Sequence, residues 1–134
     1  MTEKTRALLA VLLAAAWVNA SEFLRNEWLL KDHWLRHYQR LGLAFPEAPH
    51  NGAIWGLWGL LFAAWIYALT RAHSWLRTAL LAWFGGFVLM WLVIGNLGVL
   101  PVSLLPYALP LSLLETGIAS AICLRVAPPR RADA

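Results

Sequence analysis

The chain has 134 residues, 60% of them hydrophobic and only 13% charged, with nine tryptophans and a formal net charge of +4. A soluble domain carries about a quarter charged residues, and a globule of this size has too little interior to hide so apolar a chain. The bilayer is therefore its solvent, and a nucleic-acid module is excluded because the basic residues belong to loops and termini.

Charge-free runs cover Ala7 to Ser21, Asn51 to Thr70 and Thr78 to Leu114. A membrane-spanning helix needs about 20 apolar residues, so the second run fits one span and the third fits one span and half of another. The pattern predicts an all-α, four-helix transmembrane bundle forming a single integral membrane domain over 1–134, with helices at about 6–24, 52–69, 76–94 and 104–124. An amphipathic extension is expected after helix one, at about 25–41, with Leu24, Trp28, Leu35 and Tyr38 on its apolar face. Unbroken from Ala7 to Leu41, that helix would reach about 52 Å, so a bend onto the membrane interface is expected. Breaks fall at Pro46 and Pro49, at Arg71–Ser74, and at Gly95, Gly98 and Pro101. Pro110 is expected to kink the last helix. The tail over 126–134 is polar, and mobility is expected there. A competing reading makes residues 1–20 a cleaved signal peptide, from the basic start, apolar core and Val-x-Ala ending.

Seven Lys and Arg side chains (Lys4, Arg6, Arg71, Arg77, Arg125, Arg130, Arg131) share one side of this topology, and four (Arg25, Lys31, Arg36, Arg40) the other. That asymmetry places both termini in the cytoplasm and the chain in the cell membrane. The single Cys123 excludes an intramolecular disulfide and any CxxC site. It reads as a small packing residue.

Glu115 is the most informative side chain, near the middle of the last helix in "LPLSLLETGIASAI". Ser112, Thr116 and Ser120 recur every fourth residue beside it. A carboxylate at the bilayer midplane costs ~3 kcal/mol, so it should face the interior and either meet a donor or hold its proton. Two readings stand: a proton- or cation-responsive site, and a neutral carboxyl gluing helices together. The stretch "WVNASEFLRNEW" supplies partners, because Asn19, Glu22 and Asn26 share a face and Arg25 follows Glu22 by three. Asn96, in "VIGNLGVLP", ends helix three near the same boundary. Together with Glu115, these residues are expected to line a polar pocket open to the outer side. The alternative is that Glu22 and Arg25 merely mark the membrane surface.

His33 and His37 are four apart but lack a third ligand, and Lys31, Arg36 and Arg40 disfavour a cation, so no metal site is assigned. Glycines and alanines at packing spacing (Gly52, Gly56, Gly59 and Ala63; Gly85 and Gly86; Gly117 and Ala121) suit close helix approach. No nucleophile–base pair, phosphate loop or haem motif is present, and no cofactor is expected.

The aromatic, polar stretch "NEWLLKDHW…LGL", the "AWFGGF" of helix three and the Asn of "GNLG" give the chain a pattern that resembles a family of small four-helix bacterial integral membrane proteins of unknown function. The resemblance implies the fold and no activity. The long "YQRLGLAFPEAPHNG" connector and Glu115 depart from it. The functional expectation is a homo-oligomer binding or transporting a small solute through the polar pocket, with protonation of Glu115 as a gate. The alternatives are a non-catalytic subunit of a larger membrane complex, and an intramembrane enzyme acting on a lipid-like substrate.

Overall fold

The computed structural model describes residues 1–129 and is all-helical over them. Arg130 and Arg131, and the part of the expected tail beyond 129, lie outside the described residues. Helix α1 (Glu3–Phe23) starts where Thr2 accepts a hydrogen bond from the Thr5 backbone N–H at 3.2 Å, an N-cap that satisfies an otherwise orphaned donor. It runs on through a wide π turn (Leu24–Leu29), so the first apolar span is Glu3–Leu29. The chain breaks at Leu30 (φ −116°, ψ 11°) and enters α2 (Lys31–Arg40). The bend expected after the first span is thus present, one π turn later than the amphipathic pattern suggested.

Helix α3 (Pro49–Thr70) opens with proline in its first turn, where a missing N–H costs nothing. The third span, Trp75–Asn96, is α4 (Trp75–Trp83), a second π turn (Phe84–Val88) and α5 (Leu89–Asn96). A short 3₁₀ turn (Val102–Leu104) leads into α6 (Leu105–Val126), which stays helical through Pro110. Four helices are long and apolar enough to cross a membrane. The chain is therefore a four-span helical bundle whose apolar outer surface suits a lipid bilayer.

Helix α6 is the central element, packed against α1 and α4, while α1 also packs along α3. Its buried face carries Ala108, Ser112, Glu115, Thr116, Ala119, Ser120 and Cys123, small or polar side chains that let its neighbours approach closely. The apolar core comprises Ala14, Val18, Ala63, Ile66, Ala82, Phe87 and Ala119. The second π turn lies against α3 because Gly85 and Gly86 leave room for aromatic rings. A Cβ at Gly85 would stand 2.5 Å from the Trp65 ring, and one at Gly86 2.4 Å from Phe62.

Helix α2 closes one end of the bundle. Leu30 is buried with Leu100, Leu104 and Ala108. His33 Nδ1 lies 2.8 Å from Ser103 Oγ, and His37 Nε2 donates to the Gly98 carbonyl at 2.7 Å. Phe45 of the connector packs on Trp34 and Tyr38, with ring centroids 6.1 and 5.3 Å apart. The opposite end carries the start of α1 and the end of α6. There Arg71 donates to the Ala127 carbonyl and lies 4.6 Å from the Tyr67 ring centroid.

Candidate functional site

Three ionisable side chains meet inside the bundle. Glu22 ends α1 on its buried face, Arg25 falls three residues later in the π turn, and Glu115 comes from α6. Their relative exposures are 8%, 4% and 0%, so this is an interior group and not a surface marker. Arg25 Nη1 donates to Glu115 Oε2 at 2.9 Å, while Arg25 Nη2 pairs with Glu22 Oε1. A single guanidinium thus bridges two carboxylates on different spans. Its planar fork suits the task, since it presents several donors and keeps its charge.

The surrounding groups fix the geometry. Ser21 Oγ donates to Glu115 Oε2 at 2.6 Å, and Asn26 Nδ2 donates to Glu22 Oε2 at 2.9 Å. Asn26 Oδ1 in turn accepts from Trp34 Nε1 at 3.1 Å, which ties the site to α2. Trp17 Nε1 donates to the Glu115 backbone carbonyl at 3.0 Å. Phe87, fully buried in the second π turn, lies under the Arg25 guanidinium at 5.0 Å. Glu115 Oε1 is buried without a hydrogen-bond partner.

Of the residues expected at the site, Glu22, Asn26 and Glu115 come together, with Arg25 between them. Asn19 stands apart: its Nδ2 lies 3.4 Å from the Gly56 carbonyl and its amide fills the space above Gly59. Ser112 and Thr116 are buried on α6 but donate to the Leu109 and Leu113 carbonyls at 3.0 Å each. Asn96 is not in the network; it is exposed at the end of α5, where the helix stops before the turn at Gly98. Glu22, Arg25 and Glu115 are buried, and Trp34 of α2 reaches the cluster through Asn26. Ser21, Trp17, Trp34 and Phe87 are participants that spacing alone did not single out.

The two histidine rings reach the α5–α6 connection and not a common point. Among the described residues, no group of three or more His, Cys, Asp or Glu side chains is placed to hold a metal ion. Outside the spans, Lys31 donates to Glu27 and lies 2.8 Å from Glu47 Oε1. The hydrogen bond to Glu27, followed by that to Glu47, raises the lysine above its ordinary range.

Fold and site together define a four-span membrane protein with a buried two-acid, one-base cluster in its interior. No protein-family model, curated protein or solved structure matches the chain. What it does is read from the cluster.

Proposed function

We propose that this protein is a proton-responsive carrier of a small solute in the cell membrane, with both termini cytoplasmic, working as a homo-oligomer. The observation that carries the reading is the Glu22–Arg25–Glu115 cluster. Burying such a group costs several kcal/mol per ion, and apolar side chains of similar volume would hold helices together as well or better. Intramembrane ionisable groups mark ion, proton or substrate pathways. With all three groups ionised the cluster carries one excess negative charge, and Glu115 Oε1 has no partner. A proton on that oxygen cancels the charge and needs no added volume.

Protonating Glu115 weakens its hold on Arg25, which couples the charge state to the contact between the first and last spans. Gly52 and Gly56, open on the outward side of α3, leave a smooth surface for a second copy. The test is uptake by vesicles containing the full chain, under an imposed pH gradient, of a panel of small organic cations, amino acids and sugars. Uptake that follows the gradient in the parent and loses that dependence in Glu115→Gln supports the reading. A Glu115→Gln variant with the parent's uptake and pH response removes it.

A further inference from the structure

The two ends of the bundle carry their charges differently. At the α2 end Lys31 pairs with Glu27 and Glu47, and Arg36 with Asp32. The opposite end, where α1 starts and α3 and α6 stop, carries Lys4, Arg6, Arg71, Arg77 and Arg125. Among the described residues Glu3 is the acid at that end, and none of those five cations forms an ion pair.

That end also holds a cavity of about 260 Å³, lined by Glu3, Arg6, Tyr67, Arg71 and Ala127 among others. Arg71 is fixed within it. Its Nη2 donates to the Ala127 carbonyl and lies 3.4 Å from the buried Thr70 hydroxyl. Its guanidinium lies 4.6 Å from the centre of the Tyr67 ring. Both hydrogen bonds use one nitrogen, so the donors of Nη1 and Nε remain available. The Arg6 side chain is exposed and makes no hydrogen bond among the described residues. Two guanidiniums against one carboxylate leave the lining net positive.

A guanidinium meets the oxygens of a phosphate two at a time, in a geometry that a point charge does not reproduce. The cavity sits where three spans end, at the level of the lipid headgroups, and Tyr67 is a residue type enriched there. Basic pockets between membrane helices take the headgroups of anionic lipids. We propose that this cavity binds a phosphate group, supplied by an anionic lipid of the leaflet at the terminal end. Arg71 is the pre-positioned clamp and Arg6 the second donor. A zwitterionic lipid suits the site less well, because it brings an ammonium group to a lining that is already positive. Free phosphate shares the chemistry but lacks the acyl chains that keep a lipid beside the helices. The site is separate from the Glu22–Arg25–Glu115 cluster and does not depend on the function given to that cluster.

The test is native mass spectrometry of the full chain in mild detergent, titrated with phosphatidylglycerol, phosphatidylcholine or inorganic phosphate and read at the first bound molecule. The parent is expected to bind one phosphatidylglycerol more tightly than either alternative. Arg6→Gln and Arg71→Gln are each expected to weaken that binding roughly fivefold. Arg77→Gln removes the same charge at the same end outside the cavity, and is expected to leave it unchanged. Equal weakening by Arg77→Gln would mean diffuse attraction and no site. Equal affinity for the two lipids overturns the anionic preference, and inorganic phosphate bound as tightly as phosphatidylglycerol overturns the lipid source. Arg71→Gln also removes the bond to Ala127, whereas Arg6 has no such structural bond. Parent-like binding in Arg6→Gln therefore overturns the two-arginine site whatever Arg71→Gln does.

Discussion

The Arg25 guanidinium lies 5.0 Å from the centre of the Phe87 ring, and each residue sits in a π turn of its own span. π turns insert an extra residue into a helix and concentrate at functional sites. Here the first one faces Arg25 inward between Glu22 and Glu115, and the second presents Phe87 beneath it. The Phe87 ring also meets Trp58, Phe62 and Trp91, with centroids 5.8, 5.5 and 5.6 Å away. The only cation deep in the bundle among the described residues is therefore held by two carboxylates and an aromatic floor.

Removing the base alone strands two buried acids. Arg25→Met is expected to destabilise the protein by about 3–5 kcal/mol, whereas replacing all three groups (Glu22→Met, Arg25→Met, Glu115→Leu) is expected to be neutral or stabilising by about 1–4 kcal/mol. Reversible unfolding in mixed micelles measures both. A triple variant as unstable as the single one would show that the cluster is needed to hold the spans together, contrary to the functional reading.

Asn19 and Gly59 interlock across the α1–α3 contact. A Cβ at residue 59 would stand 2.3 Å from Asn19 Oδ1, so Gly59→Ala forces the amide aside and is expected to cost about 1–3 kcal/mol. Shortening the opposing side chain relieves the clash. A double-mutant cycle with Asn19→Ala is expected to give a favourable coupling of about 0.5–3 kcal/mol, and additive effects would refute the interlock.

The spans are legible because the absence of charge over some 20 residues leaves a helix few other environments. The cluster is legible only in part. Glu22, Arg25 and Asn26 recur at three- and four-residue spacing, which any α-helix turns to one side. Glu115 is 90 residues from Arg25, and its own helix says that it must face inward without saying whom it meets. Asn96 is exposed where α5 ends, and its place at a helix end in the sequence gives no direction for its side chain. Phe87 is one ring among many, so it gives no local signal. The π turns are equally silent, apart from the Gly85–Gly86 pair that admits the rings of Trp65 and Phe62.

Lys31 of α2 joins Glu47 of the connector to Glu27 of the first π turn. Its two hydrogen bonds raise the folded-state value above the ordinary 10.5, so their contribution is complete below 10.5 and fades as pH rises through the folded value. A spin label at Ala44 is expected to report a connector that stays ordered to about pH 10 and loosens above it. Lys31→Met should show the loosened spectrum at every pH. A parent spectrum unchanged well above the lysine range would mean that Phe45 packing alone holds the connector.

His33 and His37 attach α2 to the α5–α6 connection, at Ser103 and the Gly98 carbonyl. Each hydrogen bond contributes about 1 kcal/mol, comparable with the opening energy of a ten-residue helix that buries little surface of its own. Replacing both histidines with alanine is therefore expected to accelerate amide exchange over 31–40 and 98–104 by roughly tenfold or more, with α1, α3 and α6 unaffected. The buried contact of Leu30 with Leu100 and Leu104 and the Trp34–Asn26 hydrogen bond contribute to the remaining protection, so Leu30→Ala in that background should raise exchange over α2 further. If α2 exchanged at the parent's rate without either histidine, the histidine hydrogen bonds would not be what holds it. Should exchange instead rise throughout α1 as well, the cover over Glu22 and Arg25 would be part of the core and not a separable cap.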